Sequence, residues 1–318
     1  MEMMCIMDYL WFLLPVAILT AAVLITAYIC FRMAFFVKPE DKIPTEEYPI
    51  PDGRIYEPFR EQMVAWIKEV RALPHEDMTI TSFDGLKLRG RFYEFAPGAP
   101  MEIMFHGYRG NAERDMCGGV QRCFALGRSA LIVDQRGCGC SEGNVISFGI
   151  NEVRDCLAWL DHSIQRFGPD VKIILTGISM GASTVMLAAG QELSPNVIGV
   201  LADCGFTSAE DIIKVVIREK MHLPPNISYP FVKLGARLFG HFNLDSFSAI
   251  EAMANAKVPV IFYHGEADDF VPCDMSRHNF EACASRKRLV TIPGAGHGLC
   301  YLVDPERYLK ELDAFFSE

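Results

Sequence analysis

The chain has 318 residues, of which 22% are charged and 50% are hydrophobic, and its formal net charge is −10. This composition excludes an intrinsically disordered protein, because the apolar side chains suffice for one large core or two small ones. The acidic balance argues against nucleic acid as a partner, since binding to phosphates requires a basic surface. The mean hydropathy of +0.16 is high for a soluble protein and raises the question of where the excess apolar residues lie.

The excess lies near the N-terminus, in an uncharged run of 23 residues from Tyr9 to Phe31. A helix of that length measures about 34 Å, enough to cross a hydrocarbon core of about 30 Å. Aromatic residues near its two ends suit the membrane interfaces: Tyr9, Trp11, Phe12, Tyr28 and Phe31. We therefore predict an N-terminal tail over residues 1–8 and a transmembrane helix over residues 9–31. A cleaved signal peptide and a buried core helix are the alternatives, but the run is long for either, and residues 1–8 contain no Lys or Arg.

The charges that flank this run favour one orientation. Arg32, Lys38 and Lys42 follow it and no Lys or Arg precedes it, which predicts that the rest of the chain faces the cytoplasm. Residues 33–318 contain nine cysteines, an odd number without a Cys-x-x-Cys pair. This pattern suggests neither a disulfide framework nor a zinc ribbon, and it fits reduced thiols in a reducing compartment.

The remainder divides into a tether and a globular domain. Four prolines within residues 32–55 predict an extended tether, and residues 56–318 form the domain. The domain opens with an amphipathic helix, Glu57–Ala72, and a hairpin, Met78–Phe95. Short apolar runs then alternate with amphipathic stretches, which predicts an α/β fold with a mostly parallel sheet and helices on both faces. The predicted strands are Met101–Phe105, Ala130–Asp134, Val171–Thr176, Val197–Asp203, Val258–Tyr263 and Leu289–Ile292, and the predicted helices are Ala112–Leu126, Asn151–Arg166, one from Met180, Cys273–Ala284 and Pro305–Phe316.

One connection between these strands is too long for a simple loop. Residues 207–250 contain Pro224-Pro225 and Pro230 and two helical stretches, Asp211–Met221 and Pro230–Phe239. Because ligands of such sheets bind at the carboxyl ends of the strands, we interpret this segment as a short helical lid over a pocket. The alternative is an ordinary crossover helix with surface decoration.

The clearest chemical motif is Gly177-Ile178-Ser179-Met180-Gly181, between a predicted strand and an Ala-rich helix. A nucleophile elbow has this arrangement: the tight turn excludes bulk on either side and holds the serine hydroxyl away from the sheet. We therefore predict Ser179 as a nucleophile, with a plain Gly-rich turn as the alternative.

A serine nucleophile requires a base, and the base requires an acid that orients it. His297 lies just past the last predicted strand among small residues, Gly294–Gly298, which leave the imidazole room to reach the pocket. Asp268 follows the strand that ends at Tyr263 and is the candidate acid. Its rivals are Asp269, Glu266 and Asp203, each of which could be a solvated loop carboxylate.

An oxyanion hole requires two preorganised backbone N–H donors. Met180, directly after the predicted nucleophile, supplies one, and Tyr108, directly after His106-Gly107, is the candidate for the other. We interpret His106 as a loop-shaping residue with local hydrogen bonds. We predict neither a cofactor nor a bound metal, since no metal cluster, phosphate loop or dinucleotide fingerprint is evident in the sequence.

Five motifs in order make residues 76–318 resemble the α/β-hydrolase superfamily, specifically its esterase, lipase or serine aminopeptidase-like branch. They are His106-Gly107-Tyr108, Asp134–Ser141, Gly177–Gly181, His264–Pro272 and Gly296-His297. The order Ser179, Asp268, His297 matches the order of the triad in that superfamily. In the family pattern the acid is the third residue after the His-Gly pair, here Asp268, and the Asp134–Ser141 loop is structural.

The resemblance implies hydrolysis of a carboxylic ester, thioester or amide, and it does not select among them. We expect a membrane-anchored serine hydrolase that acts on a small-molecule or lipid-like acyl substrate, since the lid is rich in apolar residues. A peptidase or amide hydrolase with the same triad is the first alternative. A non-catalytic binding protein on this fold is the second, and the complete triad argues against it.

Overall fold

The computed structural model describes residues 2–246 and 248–317, with side chains from Leu13 onward. Met1, Phe247 and Glu318, which the predicted tail, lid and domain include, lie outside the described residues. So do the side chains of Tyr9, Trp11 and Phe12, which we expect at a membrane interface.

A single mixed sheet organises the described part of the chain, with its eight strands in the order β1-β2-β4-β3-β5-β6-β7-β8. The first two strands form an antiparallel hairpin, β2 pairs antiparallel with β4, and all other neighbours are parallel. The predicted fold class, a mostly parallel sheet flanked by helices, is therefore confirmed. The strands are β1 Glu76–Thr81, β2 Lys87–Tyr93, β3 Met101–Phe105, β4 Ser129–Val133, β5 Ile173–Ile178, β6 Val197–Asp203, β7 Val260–Gly265 and β8 Lys287–Ile292.

Helices cover both faces of this sheet because its strands are apolar on both sides. Ile103 and its neighbour Met104 belong to different core clusters, the first with α5 and α6 and the second with α4. Among the described residues the α-helices are α1 Glu2–Ala34, α2 Arg60–Ala72, α3 Ala112–Asp115, α4 Gly119–Ala125, α5 Glu152–Phe167, α6 Met180–Ala189, α7 Ala209–Val215, α8 Pro225–Gly235, α9 Ala249–Ala254, α10 Cys273–Ala282, α11 Cys300–Val303 and α12 Pro305–Ser317.

One predicted helix is divided in the structure. The segment 112–126 forms α3 and α4, with a break at Met116–Gly118. The break allows a close approach of α2, since a Cβ placed on Gly118 would lie 2.6 Å from the Trp66 ring. A long-range contact of this kind leaves no periodic signal in the sequence.

The segment between β6 and β7 that we interpret as a lid, residues 207–250, is helical. It contains α7, α8 and the start of α9, and single π-helical turns, Val216–Lys220 and Ala236–Gly240, extend the first two helices. The second helix begins at Pro225 rather than at the predicted Pro230, because proline is well suited to the first turn of a helix. Several buried lid residues share one cluster with Met180: Ile212, Ile213, Ile217, Tyr229 and Val232.

Helix α1 is longer than the predicted transmembrane segment at both ends. Its portion Leu13–Ala34 is long and apolar enough to cross a membrane, a criterion of length and composition that a signal sequence also meets. The side chains of residues 13–22 are all exposed. Farther along, the helix packs against α8, where a Cβ on Gly235 would lie 2.3 Å from the Ala27 carbonyl oxygen.

The prediction of an unpacked tether over residues 32–55 is wrong for much of that segment. The Phe35 carbonyl accepts a hydrogen bond from the Ile146 N–H at 2.8 Å, and the Val37 N–H donates to Asn144 at 2.8 Å. Phe35, Val37 and Ile50 are buried. These apolar side chains pack the segment against the domain.

A buried ion cluster in β3 offers a test of the fold. Glu102 is fully buried and pairs with Arg122 and Arg128, the latter at 2.8 Å, while the Thr176 hydroxyl donates to it at 2.8 Å. Burial alone would raise the pKa of Glu102, but the two guanidinium groups lower it below its ordinary value.

We predict that Glu102→Gln lowers the free energy of unfolding by about 3–5 kcal/mol, because it leaves two buried guanidinium groups without their carboxylate. Urea unfolding of the full chain in detergent, followed by tryptophan fluorescence, measures this change. The exposed Glu61 of α2 provides the control, and Glu61→Gln should shift the unfolding free energy by less than about 0.5 kcal/mol. Equal effects of the two substitutions would contradict the prediction.

Candidate active site

Ser179 lies between β5 and α6 in a strained backbone conformation with a positive φ, at φ 55° and ψ −116°. Glycine is required two residues before and two residues after Ser179. A Cβ on Gly177 would lie 2.1 Å from the Gly181 carbonyl oxygen, and one on Gly181 would lie 2.0 Å from the Phe105 carbonyl oxygen. The strand continues to Ile178, two residues beyond the predicted end, so that the serine follows it directly. This is the strand–turn–helix geometry of a nucleophile elbow.

The structure brings the three predicted triad residues together although they are far apart in sequence. The Ser179 hydroxyl lies 2.9 Å from His297 Nε2, and His297 Nδ1 lies 2.7 Å from Asp268 Oδ2. The two bonds are compatible with one neutral tautomer, in which Nδ1–H donates to the carboxylate and Nε2 accepts from the hydroxyl. A serine in this position is set up to lose its proton to the imidazole.

The environment of Asp268 keeps its carboxylate ionised. Its Oδ1 accepts hydrogen bonds from the backbone N–H groups of Phe270 and Val271, both at 2.9 Å. Its Oδ2 faces His297 and also His264 Nε2, at 3.2 Å. Burial alone would raise the pKa of Asp268, but the hydrogen bonds from the two histidines outweigh it and hold the pKa well below its ordinary value.

His264 is a site residue to which the sequence analysis assigned no role. It is fully buried at the end of β7, where the Val271 carbonyl lies 2.9 Å from Nε2 and the Ser276 hydroxyl lies 2.7 Å from Nδ1. Because both neighbours of Nε2 are acceptors, the proton belongs on that nitrogen, from which it also reaches Asp268. The only sequence signal was its place in the His-Gly pair of the acid motif.

The three rival acids lie elsewhere. The Asp269 side chain is 73% exposed and its carboxylate is 3.8 Å from the Lys220 ammonium group. Asp203 is buried, and its Oδ2 accepts a hydrogen bond from the Tyr308 hydroxyl at 3.1 Å. Glu266 accepts a hydrogen bond from the Thr291 hydroxyl. Of the four candidates, Asp268 is therefore the one with a hydrogen bond to His297.

Both predicted oxyanion donors lie beside Ser179. Met180 is the first residue of α6, so its backbone N–H has no intrahelical acceptor. Tyr108 follows Gly107, and a Cβ on Gly107 would lie 3.9 Å from Ser179 Oγ. The Gly107 N–H donates a hydrogen bond to Asp115 Oδ2 at 3.0 Å, and this bond holds the backbone of the loop that contains Tyr108.

Local hydrogen bonds hold the loop after β3 and the Asp134–Ser141 loop in place. His106 makes such bonds, in line with its interpretation as a loop-shaping residue. Its Nε2 accepts from the Gln135 N–H at 2.9 Å and its Nδ1 lies 2.7 Å from the Gly107 carbonyl oxygen. In the Asp134–Ser141 loop, the Asp134 carboxylate accepts from the N–H groups of Ala112 and Cys140 at 2.9 and 2.8 Å. Both loops are thus held to the same end of the sheet.

A cavity of about 830 Å³ opens onto the triad, and Ser179, His297, Gly107 and Tyr108 all line it. The segment before α2 supplies part of its wall, including Tyr56, whose hydroxyl donates to the His297 carbonyl at 3.1 Å. Tyr56 lies at the predicted start of the domain and has no role in the sequence-based prediction. Its contact joins two residues that are far apart in the sequence, so no local pattern indicates it.

One side-chain group near the triad has the composition of a metal site. Ligand atoms of Cys204, Asp268 and His297 lie within 4.8 Å of one another. The carboxylate and the imidazole are already bonded to each other, and burial raises the pKa of the Cys204 thiol well above its ordinary value. Since a thiolate and not a thiol binds metals, this group does not fit a metal ion in its present state.

Comparison with known proteins places the chain in a family. A model of the alpha/beta hydrolase family matches residues 103–311. The protein YqkD of Bacillus subtilis is 27% identical over 192 residues, which is 60% of this chain and 63% of the relative, so the chain spans less than two thirds of that protein. Rv2307c of Mycobacterium tuberculosis is 28% identical over 246 residues, 76% of this chain and 79% of the relative.

A solved structure has the same fold. The esterase Pf2001 of Pyrococcus furiosus superposes with a TM-score of 0.65 over 86% of this chain and 98% of its own, at 20% sequence identity. At that identity the likeness establishes the fold alone. The family match covers more than half of the residues and includes the nucleophile turn, the acid loop and the histidine loop. The chain therefore belongs to the alpha/beta hydrolase family.

Proposed function

We propose that this protein is a membrane-anchored serine hydrolase that cleaves a carboxylic ester or thioester through an acyl-enzyme. The observation that carries this proposal is the continuous hydrogen-bonded series from Ser179 through His297 to Asp268. An ester or thioester is favoured over an amide because its leaving group departs more readily. The structural neighbour Pf2001, which has the same fold, is an esterase, and this supports the choice of an ester substrate.

In the acylation step, Ser179 Oγ bonds to the substrate carbonyl carbon while its proton passes to His297 Nε2. The carbonyl π electrons move to the oxygen, and the N–H groups of Met180 and Tyr108 stabilise that oxyanion. When the tetrahedral intermediate collapses, the bond to the leaving group breaks and His297 returns the proton to that group. Asp268 keeps the imidazole in the reactive tautomer and stabilises its protonated form.

Deacylation repeats these steps with water as the nucleophile. Water loses a proton to His297, attacks the acyl carbon, and the serine leaves with that proton, so that the enzyme is regenerated. The cavity of about 830 Å³ has room for an acyl group beside the triad. Apolar side chains in the lining of the cavity, Ile55, Trp66 and Phe270 among them, favour an acyl chain or an aromatic acyl group.

The first alternative is a peptidase or amide hydrolase with the same triad. An acyl-length series of nitrophenyl esters, assayed beside aminoacyl amides, distinguishes the two. Membrane anchoring through α1, with the domain facing the cytoplasm, is part of the proposal and is supported by the length of the helix and by the basic residues that follow it.

We predict that Ser179→Ala abolishes labelling by a fluorophosphonate probe and lowers kcat for nitrophenyl esters on the order of 10⁴-fold or more, because the attacking atom is lost. His297→Ala should cost a similar factor, since the triad acts as a unit. Circular dichroism is the control for folding. More than about a tenth of the wild-type rate in Ser179→Ala would contradict the assignment.

We predict that Asp268→Asn lowers kcat by about 10²–10⁴, because an amide at this position favours the wrong imidazole tautomer. Asp269→Asn and Asp203→Asn serve as matched controls and should change kcat little, since neither carboxylate is hydrogen bonded to His297. Steady-state rates of the three single variants decide the matter. If one of the controls is the inactive variant, the acid is misassigned although the hydrolase proposal survives.

We predict that His264→Leu lowers kcat about tenfold to a hundredfold, because a hydrogen bond to a charged group contributes about 1.5–3 kcal/mol. His264 helps to lower the pKa of Asp268, so its loss should raise that pKa and move the acidic limb of the pH–rate profile to higher pH. His264→Gln, which keeps a donor, should restore part of the rate. The exposed His278 of α10 provides the control as His278→Leu, and an unchanged profile in His264→Leu would refute a positioning role.

A further inference from the structure

The lid carries an apolar stripe on its outer side, next to α1. Ile227, Phe231 and Leu234 are spaced at i, i+4 and i+7 on α8 and share one side of the helix, and Leu238 follows four residues later. Ile227 is 66% exposed and Leu238 is 43% exposed, and Phe231 and Leu234 between them are half-buried. We refer to these four residues as the lid face. Exposed apolar residues of a monomer are usually scattered, so a stripe of this kind indicates a surface that is covered by something apolar.

The opposite side of α8 is buried against the domain, so the helix cannot rotate about its axis to bury the lid face instead. Tyr229, Val232 and Ala236 belong to the core cluster beneath the lid. A third side, marked by Gly235, is in contact with α1. The direction of the lid face is therefore fixed by packing on two other sides of the same helix.

The contact between α8 and α1 lies within the apolar run that is long enough to cross a membrane. Gly235 is opposite Ala27, and the Phe239 ring packs edge-on against Tyr28 with the ring centroids 5.2 Å apart. The candidate span extends from Leu13 to Ala34, so both contacts are inside it and not beyond its end.

The length of α1 decides how deep this contact lies. Residues 9–22 precede the packed part of the helix, and at about 1.5 Å per residue they measure about 21 Å. A hydrocarbon core is about 30 Å thick. Residues 9–22 therefore leave about 9 Å of the hydrocarbon core unspanned. Because Asp8 bounds the apolar run on the other side, the residues after Ala22, which run alongside α8, must span this remainder.

From this geometry we propose that the lid face lies in the bilayer beside α1, so that the protein is held on the membrane by two contacts, the transmembrane helix and the lid. The proposal rests on the membrane anchoring that is part of the proposed function. The partner of the lid face is a lipid surface. Met221 and Leu223, in the connection before α8, are two further exposed apolar residues of the same segment, at 41% and 45% exposure.

Tryptophan quenching in reconstituted vesicles tests this proposal with the full chain. The native Trp11 reports on the apolar run that precedes the packed part of α1, and Trp11→Phe gives the background emission of Trp66 and Trp159. On that background, Ile227→Trp and, separately, Leu238→Trp place a probe on the lid face at exposed positions that do not affect packing. Phe95→Trp is the matched control, an exposed aromatic position beyond β2 at the opposite end of the parallel strands.

The proteins are inserted into phosphatidylcholine vesicles with either ordinary or brominated acyl chains. We expect the added emission of Ile227→Trp and Leu238→Trp to fall roughly twofold or more with brominated chains, as for a helix seated at the acyl boundary. The emission of Phe95→Trp should stay unchanged.

Three results would overturn the proposal in different ways. Quenching of Trp11 without quenching of either lid probe means that α1 is inserted but the lid face is not in the bilayer. Absence of quenching at Trp11 and at both lid probes means that the anchor itself is wrong, and the proposal fails with it. Equal quenching of Phe95→Trp would show that the signal is not specific for the lid, which also overturns the proposal.

Discussion

The geometry of the site depends on the close packing of three backbones around Ser179. The end of β3, the end of β5 and the start of α6 approach so closely that Gly181 has no room for a side chain next to the Phe105 carbonyl. Parallel pairing of β3 with β5 places Phe105 level with Gly177. The loop after β3 therefore emerges beside the nucleophile. The close packing around the strained turn at Ser179 thus also determines where the loop that contains Tyr108 begins.

The proposed triad could be predicted from the sequence because each member lies at a strand end with a local signature. Parallel strands bring their carboxyl ends to one edge of the sheet, so residues that follow different strands meet there without any long-range information. The choice of Asp268 over Asp269 was harder, and the resemblance to the family supported it. The structure adds the physical reason: the backbone N–H groups of Phe270 and Val271 close a turn onto its carboxylate.

What the sequence did not reveal arises from contacts between distant segments. Tyr56 reaches His297 from the far end of the chain, and His264 acts on Asp268 from inside the core. Residues 32–55 resembled a tether because prolines dominate their local pattern. Their attachment depends on a few apolar side chains, Phe35 among them, and on backbone hydrogen bonds to the loop near Ile146. Isolated apolar residues in a proline-rich segment have no periodicity that would predict such packing.

The end of α1 is attached to the loop that contains Tyr108, which we propose as an oxyanion donor. A helix leaves its last carbonyl groups without intrahelical partners, and here side chains of that loop supply them. The Tyr108 hydroxyl donates to the Ala34 carbonyl oxygen at 2.8 Å, and the Arg109 guanidinium donates to the Met33 carbonyl oxygen at 2.9 Å. Arg109 also donates to the carbonyl oxygen of Phe36, just past the helix, at 2.9 Å.

Arg109 has a φ of 53°, a conformation that is costly for a residue with a side chain, and these bonds help to offset that cost. On the other side of the turn, Asp115 holds the Gly107 N–H. The backbone of Tyr108 is therefore fixed between the domain and α1. A helix that by composition suits a membrane thus also helps to shape the loop that contains this proposed oxyanion donor.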